Sequence, residues 1–129
     1  MRPVPFLSLP IALLLMTAPA TAEDWREVSP DKFYYNADFV FVDYWTDFIV
    51  VETAFREGGD YDYNLTAIDC DGWRVYGLGS KNPDGTFDVY DQWYSDPRVG
   101  GPIPNGSLIM KVANRLCPIH DTLPLDDLP

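Results

Sequence analysis

Of the cysteines and histidines that most often do covalent or acid–base work, the chain holds Cys70, Cys117 and one histidine, His120, beside its many carboxylates. A Ser-His-Asp triad needs an imidazole close to a serine held on a sharp turn. No serine here stands in a Gly-x-Ser-x-Gly context, and His120 lies in a segment flanked by prolines. His120 is therefore expected to be solvated or locally hydrogen-bonded rather than catalytic. Zinc needs Cys and His clusters at ligand spacing, and phosphate loops of the Rossmann or Walker type need their glycine patterns. The sequence carries neither. Oxygen donors recur at alternate positions in Asp69, Asp71 and Gly72, and again in Asn82, Asp84, Thr86 and Asp88. Neither stretch completes a twelve-residue calcium loop, and Asp-Gly between strands more often makes a hairpin turn. A carboxylate pair for glycoside hydrolysis has 20 acids to draw on, yet no neighbour pattern singles two of them out. The expectation is a protein with no catalytic residue, no metal and no cofactor, a small hydrolase being the remote alternative.

Aromatic rings offer a different chemistry. Phe39, Phe41, Tyr44 and Trp45 form one group, and Tyr90, Trp93 and Tyr94 a second. Rings suit strands for packing reasons alone, so most of them belong in a core. Tyr and Trp at a sheet edge or loop also give strong protein contacts at low entropic cost. On that second reading the seven residues are a candidate binding surface, led by Trp45 and Trp93.

Charge narrows the partner. Nine Lys and Arg against 20 Asp and Glu give a formal net charge of −11, a field that repels phosphate backbones and anionic lipid and favours a basic protein. Nucleic acid is excluded as a partner. Residues 1–22 read as an export signal: Arg2 precedes an apolar run at 11–16, and Ala20-Thr21-Ala22 offers small residues for cleavage. That run is shorter than the roughly 20 residues a membrane span needs. Cleavage near Ala22 would start the mature chain at Glu23, without a cysteine at the cleavage point for a lipid. The expected location is the periplasm or the exterior. Both are oxidising, so Cys70 and Cys117, the only intrachain pair, are expected to form a disulfide. The loop it closes is long enough to contribute about 4 kcal/mol.

The elements that position these residues follow from periodicity and turn chemistry. Strands are expected at 25–28, 33–42, 48–56, 61–70 and 73–79, with a further one returning over 86–91 after the Asn82-Pro83-Asp84-Gly85 turn. In the 48–56 stretch both faces are apolar near the start, which marks an interior strand covered on two sides. Asp71-Gly72 permits a tight turn with positive φ. Residues 95–105 read as loop because of their prolines and glycines. Asn105 or Ser107 then caps a helix whose apolar stripe is Leu108, Ile109, Val112, Ala113 and Leu116, ending near Cys117 because Pro118 cannot extend it. The tail over 120–129 is expected to fray. The fold class is α+β: a single antiparallel β-sheet meander with a packed C-terminal α-helix, disulfide-linked, in one domain over 23–129.

Several short motifs together resemble the bacterial surface-adhesin protein E family. They are Trp25 near the mature start, Phe33-Tyr34-Tyr35, Ile68-Asp69-Cys70, Trp93, and Pro104-Asn105-Gly106-Ser107 opening a helix that ends in Leu116-Cys117. The resemblance spans nearly the whole mature chain. It implies an antiparallel sheet with a packed C-terminal helix, a disulfide between the matching cysteines, no catalytic residues, and adhesion to host extracellular proteins. The family's namesake is held by a lipid, for which this chain has no cysteine at the cleavage point. The function expected is an exported, non-catalytic, adhesin-like binding module of the cell envelope with a protein partner of basic or extracellular-matrix type. The alternative is a periplasmic inhibitor or accessory protein acting on a basic protein.

Overall fold

Both faces of strand β3, Ile49–Phe55, are buried along nearly its whole length, and the molecule is built outward from it. The computed structural model of the chain describes residues 23–128, so the expected leader and its cleavage site near Ala22 lie outside the described residues. Strands β2 (Phe33–Asp43) and β4 (Asp62–Asp69) pair with β3 on either side, antiparallel. Beyond them lie β1 (Trp25–Ser29) and β5 (Arg74–Ser80), so five consecutive strands stand in chain order. Their limits fall within a residue or two of the expected ones.

One sheet face carries Phe33, Tyr35, Val42, Ile49, Val51 and Ile68. It is covered by helix α1, Leu108–Leu116, through Val112, Ala113 and Leu116. Burying each Val, Ile, Leu or Phe side chain among them contributes about 1.5–3 kcal/mol. Ser107 caps the helix, its Oγ accepting from the Met110 amide at 3.2 Å, and Arg115 in the last turn donates to the Glu27 carbonyl at 2.9 Å. Cys70, just after β4, is bonded to Cys117, just after α1, with Cα atoms 5.7 Å apart and a sequence separation of 47. Among the described residues no helix is long and apolar enough to cross a membrane.

The other face carries Phe41, Val50, Leu65, Ala67, Tyr76 and Leu78, beneath Trp93 and residues of the 81–99 segment. Here the structure corrects the sequence reading. The strand expected over 86–91 is reduced to one bridge, Lys81 to Phe87, with backbone bonds from the Asn82 amide to the Thr86 carbonyl (2.7 Å), the Asp88 amide to the Ser80 carbonyl (3.4 Å) and the Tyr90 amide to the Leu78 carbonyl (3.0 Å). The segment returns beside β5 so closely that a Cβ on Gly79 would overlap the Asp88 carbonyl. Part of the edge of β5 is taken instead by β6, Gly100–Pro102, inside the stretch expected to be loop. Gly100 lies against the Tyr76 ring, where any side chain would collide, and Pro102 is tolerated because β6 is an edge strand. In the 70–73 turn the positive φ falls on Trp73, at 53°, and not on Gly72. Asp69 Oδ1 accepts the amides of Asp71 and Gly72 at 3.1 and 2.9 Å and so shapes the turn. The tail expected to fray is folded. It makes a 3₁₀ turn, Cys117–Thr122, and then β7, Leu125–Asp126, pairs with β2 in parallel, which qualifies the all-antiparallel sheet.

Candidate binding surface along the second strand

A wide irregularity in β2 positions the surface. Tyr35 faces Thr53 and Val40 faces Val51, so residues 36–39 of β2 lie opposite the single residue Glu52 of β3. Asn36 and Glu52 are both buried at this step. Asn36 Nδ2 donates to Glu52 Oε1 at 3.0 Å and to Glu23 Oε2 at 2.9 Å, and Asn36 Oδ1 accepts the Asp38 amide at 2.9 Å. Glu52 Oε2 accepts from Lys81 Nζ at 3.1 Å. A buried carboxylate is tolerable only when both oxygens are satisfied, and here they are. The sequence reading missed this network. Its signal was a lone Glu amid Ile, Val and Ala in the most apolar strand.

Beyond the irregularity Phe39 and Phe41 turn to the second face. Phe39 meets Phe41 at 5.9 Å and Phe87 at 5.7 Å between ring centroids. These rings, with Val40, Thr86 and Pro124, floor a groove of about 660 Å³. Its remaining side chains are Asp38, Asp126 and Asp127, so its charges are all negative and no Lys or Arg lines it.

At the end of β2 the chain turns through Tyr44 and Trp45, which pack edge to face at 5.1 Å. They are 63 % and 80 % exposed, rings held out in solvent by a well-made turn. Asp43, buried, accepts at Oδ2 from the Thr46 amide (3.0 Å) and the Thr46 hydroxyl (2.7 Å). Asp47 takes φ of 66°, and its carbonyl accepts from His120 Nε2 at 2.9 Å. The Tyr44 amide donates to the Asp126 carbonyl at 3.0 Å, so the aromatic turn and the acid-lined groove share the tail as a common border.

The seven ring residues expected to form one surface therefore divide. Phe39 and Phe41 floor the groove, Phe41 mostly buried, and Tyr44 and Trp45 stand beside it. Trp93 is a correction. It is 4 % exposed and belongs to the core, because Gln92 in the left-handed region turns a 3₁₀ segment, Trp93–Ser95, that folds the indole onto Tyr76 and Phe48 at 5.3 and 6.0 Å. Tyr94 packs on its outer side, and Tyr90 borders a separate trough with Thr66, Gly77 and Ile109; both are exposed.

His120 is built into the structure. Besides Asp47 it contacts Asp121 Oδ1 through Nδ1 at 3.0 Å, and these bonds, the one to the Asp47 carbonyl foremost, raise its pKa. The alternate oxygen donors are used locally: Asp84 Oδ1 accepts from the Thr86 amide and hydroxyl, as Asp69 does in its own turn. Among the described residues no group of three or more His, Cys, Asp or Glu side chains is arranged to hold a metal ion. Comparison with protein-family models, with characterised proteins and with solved structures returned no match.

Proposed function

We propose that the chain is an exported, non-catalytic, adhesin-like binding module of the cell envelope, which takes a basic segment of another protein into the groove beside β2. The observation that supports this reading is an aromatic floor whose charged rim is acidic throughout, next to two solvent-exposed rings. Apolar anchors of the partner meet Phe39, Phe41 and Phe87, while Lys or Arg beside them meet Asp38, Asp126 and Asp127. Tyr44 and Trp45 close over the segment from the turn. The disulfide and the excess of acids fit a periplasmic or secreted module meeting a basic or matrix-type protein. The resemblance to the surface-adhesin protein E family is part of the same proposal.

Binding kinetics against a panel of cationic and matrix proteins test it. Added salt should mainly slow association, and Asp126→Asn with Asp127→Asn should do the same. Trp45→Ala should mainly speed dissociation, by about 30-fold if it is a hot spot worth about 2 kcal/mol. A chain that binds none of the panel, or binds equally well without Trp45 and both acids, overturns the assignment.

A further inference from the structure

We propose that the bound segment lies extended and joins β2 as an added strand, hydrogen-bonded to the backbone of Val40; this rests on reading the groove as a protein site. The outer edge of β2 is covered in two pieces. β1 pairs with it as far as Asn36, and the Ala37 amide then donates to the Asp24 carbonyl at 2.7 Å. β7 covers it from Val42. Between them, among the described residues, no strand pairs with this side of residues 38–41.

Strand alternation sets which groups face out. The Asp43 amide turns inward to the Phe48 carbonyl at 2.8 Å. Those of Val42 and Tyr44 turn outward, to the carbonyls of Pro124 (2.8 Å) and Asp126 (3.0 Å). Val40 stands two residues before Val42 in regular pairing with Val51, so its N–H and C=O also face the outer side. A parallel ladder continued backward from Leu125 would need the amide of residue 124 to reach the Val40 carbonyl, and proline has none. The tail's pairing thus stops for a chemical reason, one step short of Val40, at the floor of the groove that Pro124 and Val40 both line.

An added strand reads this geometry with period two. One set of its side chains falls on the rings of the second face, and the intervening ones reach the rim acids. The occupant is thus a short extended segment of a partner protein in which basic and apolar residues alternate.

The test uses the full chain, ¹⁵N-labelled, with the acetylated and amidated peptide Lys-Phe-Lys-Val-Lys-Phe-Lys as probe. Two further peptides carry N-methyl groups on alternate amides, one set along each edge. The Val40 amide should exchange at least about tenfold more slowly with the probe bound, and methylation of one edge alone should weaken binding about tenfold or more. Val40→Pro should weaken it similarly, since the lost amide is not one that β3 uses. Should that variant fail to fold, the methylated peptides decide. If all three peptides bind alike and shift groove signals without protecting Val40, the added strand is wrong while the groove survives as a site. Failure of every peptide to bind overturns both. Slow exchange of Val40 in the free chain, or a concentration-dependent dimer that protects it, assigns the edge to another occupant and overturns the proposal.

Discussion

His120 joins the 3₁₀ turn after the helix to the aromatic turn, and its two bonds favour the charged ring. The Asp47 carbonyl and the Asp121 carboxylate are both acceptors, so the two contacts together need a proton on each ring nitrogen. The folded-state pKa is raised above the ordinary 6.5, chiefly by the bond to the Asp47 carbonyl and then by that to Asp121. A raised pKa means that the contact's stabilisation is fully present below pH 6.5 and is lost as pH climbs through the raised value. Thermal melts from pH 5 to 8 should show the wild type losing its advantage over His120→Gln with rising pH. Curves that run parallel throughout would remove the ion from the account. The two tryptophans separate by burial. Trp93→Ala should cost about 3–5 kcal/mol of stability, as a large core truncation, and Trp45→Ala no more than about 0.5 kcal/mol, as a surface change. Denaturant titration of both variants checks this, and equal midpoints would mean that Trp93 is not a core residue.

At the scale of elements, the Asn36–Glu52–Lys81 network governs where β2 breaks step. Lys81→Met keeps the aliphatic stem and leaves the buried Glu52 carboxylate without its cation. The expected loss is about 3 kcal/mol, the low end for a broken buried pair because Lys81 is partly in water. A loss below about 1 kcal/mol in urea unfolding would show that the Asn36 bond alone suffices. This network also marks where sequence reading stops. Five strands and the helix were legible because alternation, Asp-Gly and Asn-Pro-Asp-Gly turns and the Ser107 and Pro118 boundaries are local signals. β6 and β7 carry no local signal, since Gly-Gly-Pro and Leu-Asp become strands only because an edge of β5 and of β2 stands open to them. Thr86 to Asp91 keeps its alternation, Phe87 and Val89 packing together on the second face, but it forms no regular ladder, with the Asp88 carbonyl lying against Gly79. For the site, Phe39, Phe41, Tyr44 and Trp45 were legible as an aromatic group. The acids that complete the groove were not, because Asp126 and Asp127 arrive from 81 to 88 residues further along the chain than the aromatic group once β7 pairs with β2.

For the molecule as a whole, the single disulfide sets the scale of stability. Cys117→Ala should lower it by about 2–5 kcal/mol, measured against the oxidised parent in denaturant, and a smaller loss would mean that α1 docks on β4 unaided. The same bond has a mechanical consequence. A domain that anchors one body to another is loaded along the line between its ends. Under such tension the loop between Cys70 and Cys117, a sequence separation of 47, is bypassed, because force passes from β4 through sulfur directly to the end of α1. In a single-molecule pulling experiment the chain should release only the length outside the loop, and reduction should lengthen the unfolding step by about 160 Å, at about 3.5 Å per residue over the separation of 47. β5, the covering segment and α1 then form a link that shortens the tether and can be let out by a thiol.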